Sequence, residues 1–464
     1  MRVSDDCAGP LSSTGLWPVA TSLARARDKC NLNRSPMTRS LAILAATALA
    51  IPGVLVAQSA AGSPRSDETA GRYALADALA DSAPPGIERS VPTLAAYLAR
   101  AGDDDLTRAR ALYRWVAGHI SYDAEGFRSG QPGDLSPEAV LRRGRSVCEG
   151  FARLTEALGE AMGLKVEVVS GWSKGYGYTP GQTFEGPTNH AWTAVQIDGQ
   201  WRLMDPTWGA GYLDESMRFV RQFQEHYFLT KPEEFVFDHL PEARSWQLIE
   251  RPLTAAEYAD LVYLRPMFFH AGFRIGSHAH LVIAADTRVT VTLGVSQPVE
   301  MMAQVLDAAS QRPLGGEFAF VQVGSEEARI DTRFPRPGNY LLRVFAKPLG
   351  AAGDLDWILD YRVRVTGGAP GAVFPTTYGA FGARRAWLHS PADGVLRAGQ
   401  RYRFRLRAPG ALEVAVVAGS RWTRLAAQGQ EFVGEVTAVR GPIVVYAKYR
   451  SSGDFEGLLR YAGR

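Results

Sequence analysis

Two strand-like runs meet at Asp198-Gly199: Asn189-His-Ala-Trp-Thr-Ala-Val-Gln-Ile197 before it and Gln200-Trp-Arg-Leu-Met-Asp-Pro-Thr-Trp208 after it. Asp-Gly between alternating runs signals a two-residue type I′ turn, in which both central residues take positive φ. Such a turn fixes the register. Ile197 then faces Gln200, and counting back places Trp192 opposite Asp205. Side chains alternate along a strand, so His190, Trp192 and Asp205 share one face, with His190 and Asp205 as diagonal neighbours. A three-residue loop would put the imidazole and the carboxylate on opposite faces.

Taken singly, these residues say little. A histidine that opens a strand is commonly capped or solvated, and Asp before Pro commonly starts a turn. A third residue changes the balance. Cys148 lies in Gly144-Arg-Ser-Val-Cys-Glu-Gly-Phe151, followed by Phe151, Leu154, Leu158 and Met162 at helical spacing and by Gly163 as a stop. Ser146 is the expected N-cap, which puts Cys148 in the first helical turn, where free N–H groups and the helix dipole favour a thiolate. The bland alternative is a small, inert core residue. A cysteine nucleophile needs a base to take its proton and a group to orient that base. Cys148, His190 and Asp205 supply all three, so together they read as a catalytic triad.

The chain has 464 residues, enough for two or three domains, and its 51 Lys+Arg nearly balance its 48 Asp+Glu. Neither nucleic acid nor an anionic membrane is implied as a partner by that balance. Its three cysteines are Cys7, Cys30 and Cys148. Residues 37–60 read as an export signal: Arg39 supplies the positive start, Leu41 to Val56 an apolar run broken by Pro52 and Gly53, and small residues around Ala57 to Ala60 a cleavage site. The run is too short and too broken for stable membrane insertion after signal removal. Residues 1–36 read as a spurious or disordered extension. Cleavage would leave Cys148 as the only thiol, with no disulfide to explain it. The expected location is the periplasm or the medium.

Residues 61–85, rich in Ala, Ser, Gly and Pro, read as a linker. A catalytic domain is expected over 86–275. It opens with a helix from Val91 and a second capped by the Asp103–Asp105 cluster, then a short helix after Ser136-Pro137. The cysteine helix and antiparallel strands at 165–170, 190–197 and 200–204 follow. Helices first and strands after argue for an α+β domain. From 276 the texture changes to short β runs, read as sandwich modules over 276–367 and 368–464. The two share a signature: Phe345-Ala-Lys347 precedes Asp354-Leu-Asp-Trp-Ile-Leu-Asp-Tyr361, and Tyr446-Ala-Lys448 precedes Asp454-Phe-Glu-Gly-Leu-Leu-Arg-Tyr461. This is an internal repeat of one β-sandwich unit.

Ser-Val-Cys-Glu-Gly-Phe-Ala, Asn-His-Ala-Trp and Trp-Arg-Leu-Met-Asp-Pro-Thr-Trp-Gly resemble the three signature blocks of the transglutaminase-like superfamily. Glu225-His-Tyr-Phe-Leu-Thr, His239-Leu-Pro-Glu and Trp246-Gln-Leu-Ile, with Ile120-Ser-Tyr-Asp123, are similar to its kyphoscoliosis-peptidase-like branch. The resemblance implies a papain-like α+β core with Cys148 as nucleophile, His190 as general acid/base and Asp205 as orienting carboxylate. The implied substrate is a protein or peptide, attacked at a carboxamide or peptide carbonyl. The Cys148 backbone N–H is the natural first oxyanion donor and Tyr122 a candidate second. Tyr122, Trp192 and Trp208 are candidate walls of the substrate groove. No cofactor and no metal site is indicated, since CxxC and HExxH are absent. A hydrolytic peptidase or amidase is the leading expectation. A protein cross-linker using the same acyl-enzyme is the second, and a non-catalytic adhesion or scaffold protein using the β-modules is the third.

Overall fold

The computed structural model describes residues 67–464. The extension and export signal read from positions 1–60 lie outside the described residues, as do linker positions 61–66. Within the expected linker, residues Asp67–Asp81 form helix α1. Composition missed it because its partners are distant. Ala76 and Ala80 are buried against the core, and Asp77 and Asp81 receive the guanidinium groups of Arg110 and Arg114 from a later helix. A helix this short depends on such tertiary contacts.

Helices α2 (Val91–Leu98) and α3 (Asp105–His119) begin as their sequences dictate: the Ser90 side chain accepts the Thr93 N–H, and Asp104 accepts that of Thr107. Arg110 on α3 has only 3% of its side chain exposed and forks onto Asp77 and Glu225. The pair of forks ties α1 to the segment that follows the hairpin. Arg110→Met is expected to cost about 3 kcal/mol, because it strands two carboxylates beside a buried site. Urea unfolding of the variant measures the loss.

A short strand β1 (Ser121–Tyr122) leads into α4 (Ala124–Ser129) and α5 (Pro137–Arg143), which starts with Pro after Ser136 and ends at Gly144 in the left-handed region. Strand β2 (Arg145–Ser146) then pairs in parallel with β1, and α6 (Cys148–Ala161) follows at once. The expected cap is displaced by one residue. Val147 occupies the N-cap position, while Ser146 is fully buried in β2 with its Oγ unpaired. Pairing with β1 claims Ser146 as strand, so its hydroxyl cannot turn to cap the helix.

Helix α6 packs across strands β3 (Val166–Ser173) and β4 (His190–Ile197). Strand β5 (Gln200–Met204) completes the hairpin, helix α7 (Pro206–Ala210) follows, and strands β6 (Gly211–Leu213) and β7 (Phe219–Arg221) form a separate ribbon. After the short helix α8 (Pro232–Phe235), strand β8 (His239–Pro241) returns to the main sheet. The sheet order is β5-β4-β3-β8, antiparallel throughout. The turn is the one expected: Asp198 and Gly199 have φ of 51° and 78°, and Ile197 pairs with Gln200.

Two β-sandwiches follow the papain-like core. In the first, a four-stranded sheet (273–275, 288–295, 327–333, 319–323) faces one ordered 282–285, 356–365, 338–348, 299–307. Its sheets draw in residues upstream of the boundary expected at 276, since Tyr263–Leu264 and Phe273–Ile275 pair with its strands. The second sandwich is built from sheets around strands 441–448 and 401–407. The sequence repeat maps onto equivalent hairpins. Each carries a β-bulge at the same place, between Val344 and Phe345 in one and between Val445 and Tyr446 in the other. The bulge lets two consecutive residues, Ile358-Leu359 and Leu458-Leu459, both reach the core. Among the described residues, no helix is long and apolar enough to cross a membrane.

Candidate active site

Cys148 is the first residue of α6, so its backbone N–H has no partner inside the helix. The helix sits tightly on the strand before it. A Cβ at Gly150 would lie 2.0 Å from Ser146 Oγ, so the residue two places after the cysteine can only be glycine without moving that first turn.

His190 opens β4 and is held there by its neighbour. Asn189 Oδ1 accepts the Ser173 N–H at 2.7 Å and its Nδ2 donates to the Ser173 carbonyl at 3.2 Å. The register carries Asp205 to the diagonal position, and the carboxylate meets the ring: His190 Nε2 lies 2.8 Å from Asp205 Oδ2. That leaves Nδ1 free of Asp205, and Cys148 lies near enough to raise the pKa of the ring. The structure therefore brings Cys148, His190 and Asp205 together, the first two on one cleft.

Burial alone would strip His190 of its charge. The Asp205 charge and hydrogen bond, with help from Cys148, outweigh burial and push its pKa up to about 10. Burial would likewise raise Asp205, but His190 and a second histidine hold its carboxyl well below the usual carboxylate range. Asp205 Oδ1 is also fixed, accepting the backbone N–H groups of Thr207 and Trp208 as the N-cap of α7.

That second histidine is His239, on β8. Its Nε2 lies 3.2 Å from the same Asp205 Oδ2, and its Nδ1 lies 2.6 Å from Asp238 Oδ1. Tyr227 donates to Asp238 Oδ2 at 3.0 Å. The sequence reading gave these residues no role, because His239 lies 34 positions beyond Asp205. Two signals bear on it: the family-like motif His239-Leu-Pro-Glu, and an Asp-His pair inside the otherwise apolar run Phe235-Val-Phe-Asp-His-Leu240. His190, Asp205 and His239 offer one ligand atom each within 4.8 Å, close enough to hold a metal ion. In this structure each of those atoms is matched by a hydrogen bond to its neighbour.

A cleft of about 550 Å³ opens on Cys148 and His190, bordered by Phe127, Glu149, Arg153, Glu156 and Asn189. The three expected wall residues stand elsewhere. Trp192 is fully buried against Phe235 and His239, on the protein side of His190. Trp208 is half-buried and packs against the rings of His190 and His239. Trp192 shares the strand face that carries Asp205, and Trp208 projects from α7 onto the two histidine rings, so both back the site and do not line its mouth. Tyr122 is also outside the cleft lining, but its hydroxyl lies within the influence of Cys148 and Asp205. Burial first, then those two negative charges, keep it firmly protonated. A neutral O–H beside the sulfur retains a hydrogen to donate.

Fold and site together define a papain-like α+β domain with a thiol at a helix start, joined to β-sandwiches. Residues 92–206 match the transglutaminase-like superfamily, and residues 255–376 match the KY-like, immunoglobulin-like domain. The kyphoscoliosis peptidase of Mus musculus is 28% identical over 281 residues, 60% of this chain and 41% of that protein. The kyphoscoliosis peptidase of Homo sapiens is 29% identical, covering 58% of this chain and 40% of that protein. Hillarin of Drosophila melanogaster is 28% identical, over 52% of this chain and 32% of that protein. Residues 92–206 therefore carry a transglutaminase-like domain, and the chain is similar to the kyphoscoliosis-peptidase-like branch of that superfamily. It spans at most about two fifths of the length of these relatives.

Proposed function

We propose that this chain is an exported, cysteine-dependent acyl-transfer enzyme that acts on the carboxamide or peptide bonds of protein substrates, with water as the usual acceptor. The observation that carries the reading is the Cys148–His190–Asp205 grouping at the mouth of an open cleft. Export rests on the apolar run from Leu41 to Val56.

In this reading the Cys148 sulfur attacks the carbonyl carbon and forms a tetrahedral intermediate. Its oxyanion is met by the Cys148 backbone N–H and, if the substrate reaches it, the Tyr122 hydroxyl. His190, charged at neutral pH, passes its proton to the departing amine, and a thioester remains on Cys148. Water then enters, His190 takes one of its protons, and the carboxylic acid leaves as the thiol reforms. An amine in place of water would yield a cross-link by the same steps. Water is favoured by its abundance.

A charged imidazole beside a sulfur favours the thiolate, so Cys148 is expected to react with iodoacetamide at pH 5 far faster than a free thiol. The rate is expected to hold as pH rises and to lose its imidazolium component only as His190 deprotonates near pH 10. Mass spectrometry of a peptide library incubated with the protein and an amine probe reads the acceptor. Cleaved or deamidated peptides support hydrolysis, and amine-bearing products support cross-linking. Ordinary alkylation rates, with products unchanged by Cys148→Ala, would sink both and leave a scaffold.

A further inference from the structure

The Asp205 carboxylate is held by four donors. Oδ1 takes two backbone N–H groups, at 2.8 and 3.2 Å, and Oδ2 is shared by the Nε2 atoms of His190 and His239, at 2.8 and 3.2 Å. Sharing one oxygen between two imidazoles is not needed to satisfy a buried histidine, which could bond any carbonyl nearby. His239 is also fixed from every side. Its ring is fully buried, stacks on Phe235 with centroids 4.0 Å apart, and lies 4.4 Å from the Trp208 ring. Its other nitrogen is anchored on Asp238, which Tyr227 anchors in turn.

We propose that His239 is a positioning residue that locks the Asp205 carboxylate in the orientation His190 needs. The proposal rests on the triad reading given above. The other titratable groups facing this ring are His190, Asp238 and Tyr227. Lys174 lies further off; burial pulls it down to about 7, against the opposing charges of Asp238 and Asp260. Tyr113, also buried, feels Asp205 from α3.

The consequence is a matter of sign. Asp205 is held below its ordinary range by His190 and His239 against the opposing effect of burial. With His239 removed, burial is opposed by one histidine only, so the carboxyl takes up a proton at higher pH. His190 then loses its charged partner at a higher pH than in the unaltered chain.

The test is the iodoacetamide rate of Cys148 in the full chain at pH 4 and pH 7. His239→Phe keeps the ring volume against Phe235 and removes both nitrogens. Its pH 4 to pH 7 rate ratio is expected to fall below that of the unaltered chain, because the acid limb of the rate profile moves to higher pH. His239→Gln restores an N–H toward Oδ2 and is expected to recover most of the ratio. Thermal midpoints of both variants report folding. If His239→Phe does not fold, Tyr227→Phe, which loosens the far end of the chain of contacts, carries the same expectation at smaller size. An unchanged ratio overturns the proposal. So does an equal loss at both pH values that Gln does not repair, since that marks a purely structural ring. An unaltered chain whose thiol is no faster than a free one defeats the triad reading itself, and this proposal with it.

Discussion

Asp205→Asn is expected to leave the fold intact and to lower amide turnover by about 10⁴-fold. The geometry says why. Oδ1 accepts two backbone N–H groups at the start of α7, a role that only the amide oxygen of asparagine can fill. The amide nitrogen must then take the place of Oδ2, where it points hydrogens at His190 Nε2 and His239 Nε2. His190 can accept from it only by moving its own hydrogen to Nδ1, the nitrogen left free for Cys148. A ring in that tautomer cannot remove the thiol proton. Steady-state turnover of any amide that the peptide library identifies measures the effect, with circular dichroism as the check on folding. Activity within tenfold of the unaltered chain would mean that the carboxylate does not set the tautomer.

Gly171→Ala is expected to destabilise the catalytic domain by about 3 kcal/mol, the upper end of what overpacking a core costs. A Cβ there would sit 2.2 Å from the Leu240 carbonyl oxygen and 2.5 Å from a ring atom of Trp192. Neither neighbour can yield cheaply: one is the backbone of β8, the other a fully buried indole. Gly171 pairs with both His190 on β4 and Pro241 on β8, so the added methyl pries apart the strands that carry the two histidines. Urea unfolding reads the stability. Slower alkylation of Cys148 at acidic pH reads the displaced site. A loss under 1 kcal/mol would show that β8 slides freely.

How much of this was legible beforehand follows from how far each signal reaches along the chain. The hairpin could be read to the residue, because turn chemistry and a period of two are local. The register it sets brings His190 onto Asp205. The cysteine helix was read correctly in place, yet its cap was wrong by one, since Ser146 answers to β1 from 24 residues upstream. Helix α1 looked like linker because its anchors, Arg110 and Arg114, lie 33 residues away. His239 was invisible as a partner for the same reason. The aromatic residues beside the histidine were expected at the groove. Sharing a strand face with Asp205 instead put Trp192 in the core. Placing the first sandwich at 276 followed the change in texture, but strand pairing obeys hydrogen bonds, and these reach back to Tyr263.

The matched bulges in the two sandwiches place the same constraint on both. In each, one extra residue at the same step of the ladder turns two consecutive side chains inward, so deleting it would send every later residue of that strand to the opposite face.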